Sequence, residues 1–274
     1  CTNQPPELKP IADTCVVAGS FLWLLANASD PDDDGVILDV IGGPMTEVVN
    51  PANFTNLGAG IGQFVWSPTC TEVRETPYQV VVRAEDNSGQ VQLMDLESFQ
   101  IKVIAPGVLV GGATPVGNSI IVDWNSNECV SELPAWKVDQ GTYHVYRRID
   151  SLEWSPQYCE TGVPESTGYE WVHTVEGLNV TEWIDTSTLS YGATYCYRIV
   201  TEWPGSGESL ASDEVCATIR KDIPVMTKAS VAETSEAGAI DVAWSPPTDA
   251  DTLVFPGPYS YQLFGSAVGE EESE

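Results

Sequence analysis

Residues 189–200 read LSYGATYCYRIV, and from Tyr195 onward the residue types alternate. Tyr195, Tyr197 and Ile199 fall on one face, Cys196, Arg198 and Val200 on the other. A period of two is the signal of a half-buried β-strand. The turn at Gly192, after Leu189, fixes how the chain enters it. Residues 215–220 repeat the parity, with Val215, Ala217 and Ile219 on one face and Cys216, Thr218 and Arg220 on the other. Both cysteines therefore share the face opposite the apolar one, where a cross-strand disulfide is expected.

The chain of 274 residues exceeds most single domains, so two or more are expected. Nine Trp and the Gly and Pro content suit packed cores joined by many turns. Formal net charge is -29, from 40 acidic and 11 basic residues, which argues against nucleic acid or an anionic membrane as partner. It favours solubility, cation binding or salty surroundings. Seven cysteines include no CxxC pair and do not cluster with His144 and His173, which argues against zinc. Their wide spacing reads as disulfides formed in an oxidising compartment. The expected pairs are Cys15–Cys70, Cys129–Cys159 and Cys196–Cys216, each inside one domain. Cys1 is left over: a bond to another chain, a lipidated first residue and a fragment boundary are all open. No apolar run reaches transmembrane length, and residues 16–26 (VVAGSFLWLLA) read as a buried strand.

Strand-like segments in the first hundred residues fall at 16–17, 21–26, 36–41, 63–66, 78–84 and 98–104, with turns at 30–35, 56–62 and 86–89. Short strands so spaced indicate an antiparallel sandwich. NQPPEL, ASDPDDDG, QFVWSPTC, PYQVVVRAEDNSG and ESFQIKV, in that order, resemble the cadherin-like and Ig-like modules of bacterial surface proteins. Ala105-Pro106-Gly107 marks a boundary. Beyond it come Ile121-Val122-Asp123-Trp124, Tyr143-His144-Val145-Tyr146-Arg147 and Leu189…Gly192…Tyr195-x-Tyr197, which resemble a fibronectin type III domain. In that family the residue matched by Tyr195 forms the tyrosine corner. Residues 151–174 are long for the family, and Cys129 and Cys159 are placed to pin that expansion. The pattern then restarts at Pro224…Asp241-Val242-Ala243-Trp244…Tyr261-Gln262-Leu263-Phe264. The expected organisation is a cadherin/Ig-like sandwich over 1–105, a disulfide-bonded fibronectin type III-like domain over 106–221, and an incomplete second one over 222–274 with an acidic tail. Half a sandwich would need strands from elsewhere in a longer chain, or from another copy.

Three short pieces, CETGVPESTGYEWV, GATYCYRIVTEWPGSGESLAS and EVCATIRKDIPV, are similar to the long gliding-motility-associated surface proteins of Bacteroidota that use type IX secretion. That resemblance implies an extracellular position on the bacterial outer surface and an adhesive or fibre-forming role.

Asp30, Asp32 and Asp34 alternate ahead of Gly35, which points several carboxylate oxygens at one centre, as calcium requires. An EF-hand is excluded, because the twelfth position is Ile41 and no helices flank the loop. A cadherin-like calcium loop remains, with Asp86 and Glu85 as partners from a distant turn. The competing reading is a solvated acidic turn; mutual repulsion of close carboxylates favours the ion. Catalytic patterns are weak: the two histidines lie on strands, Gly205-Ser206-Gly207-Glu208-Ser209 lacks the nucleophile-elbow spacing, and no acidic pair stands out. Trp136, Trp154, Trp171, Trp183 and Trp203 lie near loops and offer sugar-stacking faces, with packing under the insertion as the competing reading. Ser151 and Thr252 sit in Asp-Ser-Leu and Asp-Thr-Leu, like a short O-glycosylation motif of Bacteroidota, and Asn27, Asn53 and Asn179 match the N-glycosylation pattern. The expected function is a non-enzymatic, disulfide- and calcium-stiffened adhesive spacer, partnered by neighbouring domains or copies of itself. The alternative is a carbohydrate-binding accessory module of a secreted polysaccharide-degrading enzyme, with surface glycans as partner.

Overall fold

The computed structural model describes residues 3–87, 91–221, 224–234, 238–249 and 257–264. Cys1, Thr252 and the acidic tail lie outside them. The chain is all-β, built as tandem β-sandwiches.

The first sandwich holds β1 (Glu7–Leu8), β2 (Thr14–Val17), β3 (Leu22–Ser29), β4 (Val36–Gly42), β5 (Asn53–Gly58), β6 (Ile61–Trp66), β7 (Tyr78–Asp86) and β8 (Met94–Ile104). Its sheets run β1-β3-β6-β5 and β2-β8-β7-β4. All pairs are antiparallel except β2 against β8, which is parallel. Strand β7 shows why the two-residue period locates a strand. Tyr78, Val80, Val82 and Ala84 point inward and are buried, while the residues between them face outward. In register across β8, Phe99 lies opposite Val80 and Ile101 opposite Tyr78. The facing sheet supplies Phe64, edge-on to Phe99 with ring centres 6.4 Å apart, and Trp66, edge-on to Tyr78 at 5.2 Å. Emptying the Trp66 site to alanine would cost about 3–5 kcal/mol. Gly62 is forced by packing, since a Cβ there would lie 2.2 Å from the Phe54 ring.

The second sandwich holds β9 (Val110–Val116), β10 (Ser119–Trp124), β11 (Thr142–Ile149), β12 (Glu170–Glu176), β13 (Glu182–Asp185), β14 (Thr194–Trp203), β15 (Gly207–Glu208) and β16 (Val215–Thr218). One sheet runs β13-β10-β9; the other runs β12-β11-β14-β15, with β16 also pairing β14. Trp124 packs edge-on against Tyr143 in the core, ring centres 5.3 Å apart. Ser190 N–H donates to Tyr195 Oη at 2.9 Å, which closes the tyrosine corner that the fibronectin type III resemblance implies.

Strand β14 corrects the reading of its own stretch: it is buried on both faces rather than one. Tyr195, Tyr197 and Ile199 face the sandwich core, but Cys196, Arg198 and Val200 are covered as well. The long segment after β11 supplies that cover, with residues 209–212. Arg198 donates from Nη1 to Ser212 O and from Nη2 to Trp154 O, both at 2.7 Å. The long segment between β11 and β12 therefore roofs a sheet face that would otherwise meet water.

Beyond residue 221, β17 (Val225–Glu233) and β18 (Ala239–Ser245) form an antiparallel pair of their own. Met226, Val231, Ile240 and Trp244 on it are exposed.

Candidate functional site at the junction of the two sandwiches

The two sandwiches are joined by disulfides rather than each being closed by its own. Cys15 is bonded to Cys159 and Cys70 to Cys129, with Cα atoms 5.8 and 5.2 Å apart. The expected pairs Cys15–Cys70 and Cys129–Cys159 are thus replaced by two bonds that cross between the sandwiches. Cys196 and Cys216 are directly opposed in register and bonded to each other. The physical reason lies in the turns. Cys15 and Cys70 belong to one pole of the first sandwich, where Ala18 N–H meets Ile104 O and Gly19 N–H meets Pro68 O. That pole is where the chain leaves for the second sandwich, so cysteines presented from there are the available partners.

Cys70 and Cys129 sit in turns capped by buried polar side chains, Glu72 and Asn127. Cys70 opens a one-turn 3-10 helix (Cys70–Glu72) with a capping box between Thr69 and Glu72. Glu72 is 2% exposed and accepts from Thr69 N–H and Thr69 Oγ1 at 2.7 Å and from Thr71 Oγ1 at 2.9 Å. Its other donors are Val49 N–H at 3.2 Å and Asn50 N–H at 3.4 Å. Burial disfavours the charge, yet these donors outweigh it, and the Glu72 carboxyl sits below its ordinary range. Cys129 lies in the 3-10 turn Glu128–Ser131, capped by Asn127, whose side chain accepts from Cys129 N–H at 3.0 Å. The Asn127 amide also donates to the linker carbonyl of Pro106 at 2.8 Å and to Thr201 Oγ1 at 3.2 Å. Across the junction, Cys70 N–H donates to the Glu132 carboxylate at 2.9 Å, Glu75 N–H to Gly205 O at 3.0 Å, and Tyr158 Oη to Cys15 O at 2.5 Å.

The linker is part of the core. Ile104, Ala105 and Val108 are buried, and Leu210 N–H donates to Ala105 O at 3.1 Å. A Cβ at Gly107 would lie 2.9 Å from Ala211 O, so the backbones meet too closely for any side chain. Cys159 is presented by the roofing segment, which is locked in turn. The Arg198 guanidinium lies 4.8 Å from the Trp154 ring and 5.7 Å from the Tyr169 ring. Glu214 accepts from Ser151 Oγ, Tyr169 Oη and Leu152 N–H. Burial raises the Glu214 carboxyl, but these donors prevail and leave it lowered; burial and the Glu214 contact push the Tyr169 phenol up. Asp185 is fully buried between Arg147, Tyr197 and Ser187, and their hydrogen bonds outweigh burial to hold its carboxyl low.

The acidic residues lie at the opposite pole, where β3 ends and β7 finishes. Asp30 Oδ1 caps its own loop, accepting from Asp32 N–H at 2.8 Å and Asp34 N–H at 3.3 Å, while its buried Oδ2 has no hydrogen-bond partner among the described residues. Asp86 is fully buried and accepts from Leu93 N–H at 3.1 Å and Asn3 Nδ2 at 2.8 Å. Asp34 is raised by partial burial, then by the carboxylates of Asp30, Asp86 and Asp32, so all four share one field. Glu85 is turned by the strand alternation to the outer face, where it pairs with Arg83 at 3.8 Å. Among the described residues, the only three ligand-type side chains with atoms within 4.8 Å of one another are Cys196, Glu214 and Cys216, and the cysteines are spent in a disulfide. The four aspartates share a pole without closing that tightly.

The tryptophans divide. Trp203 is 1% exposed and belongs to the core, whereas Trp136 and Trp171 are 53% and 61% exposed. Trp154 lies under Arg198, and Trp183 stacks on His173 at 4.9 Å. His144 stands edge-on to Trp171 at 4.8 Å and meets Glu202 at 3.1 Å.

No protein-family model matches this chain, and no curated protein does. Solved structures share the architecture at low score. The two-domain fibronectin type III segment of chicken tenascin is 13% identical over 79% of this chain and 98% of that one, with a TM-score of 0.35. Titin domains A168–A170 are 12% identical over 79% of this chain and 67% of that one, with a TM-score of 0.31. A β-1,2-glucanase from Parabacteroides distasonis is 13% identical over 60% of this chain but only 19% of its own, with a TM-score of 0.27. Likenesses this distant carry no functional argument.

Proposed function

We propose that this chain is a non-enzymatic structural and adhesive segment of a bacterial cell-surface or secreted fibre-like protein. It acts as a spacer whose modules are fixed by disulfides and stiffened by calcium. The observation that supports this reading is the junction: two bonds, a buried linker and backbone contacts remove the freedom that flexible tandem modules keep. Position on the outer surface of a Bacteroidota cell and export by the type IX route belong to the same proposal, as do neighbouring domains or further copies as partners. Calcium would be held by Asp30, Asp32, Asp34 and Asp86. The buried oxygen of Asp30, without a hydrogen-bond partner among the described residues, and the repulsion on Asp34 favour it. Glycosylation at Ser151 and Thr252 remains part of the expectation, and intact mass reads it directly.

Small-angle scattering tests the spacer reading. The oxidised chain is expected to fit one fixed arrangement of its first two sandwiches. Replacing Cys15, Cys159, Cys70 and Cys129 by serine is expected to broaden the distance distribution. A wild type already as broad as the variant would remove the proposal's support. The exposure of Trp136 and Trp171 favours the second reading, a carbohydrate-binding accessory module. A glycan-array signal lost in Trp171→Ala would establish that reading instead.

A further inference from the structure

Tension follows the shortest covalent route through a cross-linked chain, because a disulfide transmits load as a backbone bond does. Traced from the amino-terminal side, that route runs to Cys15, crosses to Cys159, continues to Cys196, crosses to Cys216 and leaves through β17. We propose that the Cys15–Cys159 bond is a mechanical bypass that takes the first sandwich off the load path. The use of such a device rests on the spacer reading; the route itself rests only on which cysteines are joined.

Within the first sandwich the path touches little. It includes β1, paired to β3 at Glu7↔Ser29 and Leu8↔Ala28, and the first two residues of β2, paired to β8 at Thr14↔Ile101 and Cys15↔Lys102. Strands β3 to β8, the linker and β9 to β11 all lie inside the bridged interval of 144 residues. The second junction bond, Cys70–Cys129, lies wholly within that interval, so it bears no end-to-end load while the first is intact. The two cross-links thus differ in kind: one transmits force between the sandwiches, and the other fixes how they sit. Sandwich one hangs beside the path. Strands β3 to β8 stay off the path while the chain around them is pulled, which an intradomain pairing of the same cysteines would not achieve.

The magnitudes separate the alternatives. At about 3.5 Å per extended residue, the 144-residue interval withholds roughly 500 Å of length and the 20-residue Cys196–Cys216 interval about 70 Å. The remaining path, about 110 residues, can extend only to roughly 390 Å. Optical-tweezers pulling from the two ends of the oxidised 274-residue chain tests this. The wild type is expected to stop near that limit. Cys15→Ser/Cys159→Ser is expected to yield about 300 Å more, because Cys70–Cys129 then carries the load and still withholds its own 59-residue interval, and Cys70→Ser/Cys129→Ser nothing more. Dithiothreitol added to a stretched wild-type molecule should release about 570 Å in all without any variant having to fold, as each bonded pair of cysteines becomes thiols and the reagent closes to its cyclic disulfide. Extension of the oxidised wild type past the limit, or a longer extension when Cys70–Cys129 alone is absent, would overturn the bypass. Either result leaves the scattering test of the spacer standing.

Discussion

Replacing Glu72 by glutamine probes the polar clamp beneath Cys70. Five donors converge on its two oxygens at 2.7–3.4 Å, none of them a cation, and the side chain is 2% exposed. Glutamine keeps the shape but exchanges one acceptor oxygen for an NH2 group that faces N–H and O–H donors. Thr69 Oγ1 can rotate to accept, whereas a backbone N–H cannot, so one buried donor is left unsatisfied at about 1–3 kcal/mol. Loss of charge assistance in the remaining bonds adds to this, and the whole change is expected to cost about 2–4 kcal/mol. The sign of the pH dependence follows from the lowered carboxyl. The stability from Glu72 is fully present above its ordinary value of 4.5 and is lost as pH falls through the depressed folded value. Urea titrations of wild type and E72Q at pH 7, and in steps below pH 4.5, should therefore show a gap that closes on acidification. Asp185 and Glu214, also lowered, titrate in both proteins and cancel from the difference. A gap under about 0.5 kcal/mol at neutral pH, or one unchanged by acid, would refute the clamp.

Tyr195→Phe removes the acceptor of Ser190 N–H and should cost about 1–2 kcal/mol by chemical denaturation, with the fold retained by circular dichroism. In Asp34→Asn the raised carboxyl is absent, so the variant should melt higher than wild type near neutrality in EDTA, an advantage that fades as acid protonates Asp34. Added calcium should raise the melting temperature of wild type more than that of the variant; equal rises would argue against that aspartate as a ligand. Arg198→Met strips the carbonyls of Ser212 and Trp154 of a buried cation and should cost about 3–5 kcal/mol. Amide exchange across residues 151–169 should accelerate, and unchanged exchange there would mean that the roof is held by other contacts.

What could be read from the sequence was set by how much of each face stays wet. Strand β7 and the latter half of β8 are apolar within and polar without, so a period of two finds them. Strand β1 is only two residues long and β5 is an exposed Asn- and Thr-bearing edge, so neither carries a pattern. Strand β14 was legible as a strand, but its second face was not legible as buried. Arg198 is a type that suits a wet face, and part of its cover, Trp154, comes from 44 positions away. Asp30, Asp32, Asp34 and Asp86 do gather at one pole, as alternating carboxylates ahead of a turn suggest. The junction did not announce itself through spacing, since four cysteines allow three pairings and proximity along the chain favours the wrong one. Its signal was local: Thr69-Cys70-Thr71-Glu72 is a capping-box pattern that fixes how Cys70 is presented. Arg198 and Asp185 carried no motif, because a buried ion is recognisable only from its partners.

The buried linker has a consequence for how such a chain can be inherited. Tandem domains joined by wet linkers can be cut and exchanged by recombination, each half folding unchanged. A breakpoint between Ala105 and Pro106 would instead bare Ile104 and Val108 and strand Cys15, Cys70, Cys129 and Cys159, two thiols in each half. The halves would then be free to form the intradomain bonds that the intact chain forgoes. In lineage as in folding, the first two sandwiches are constrained to travel and change together.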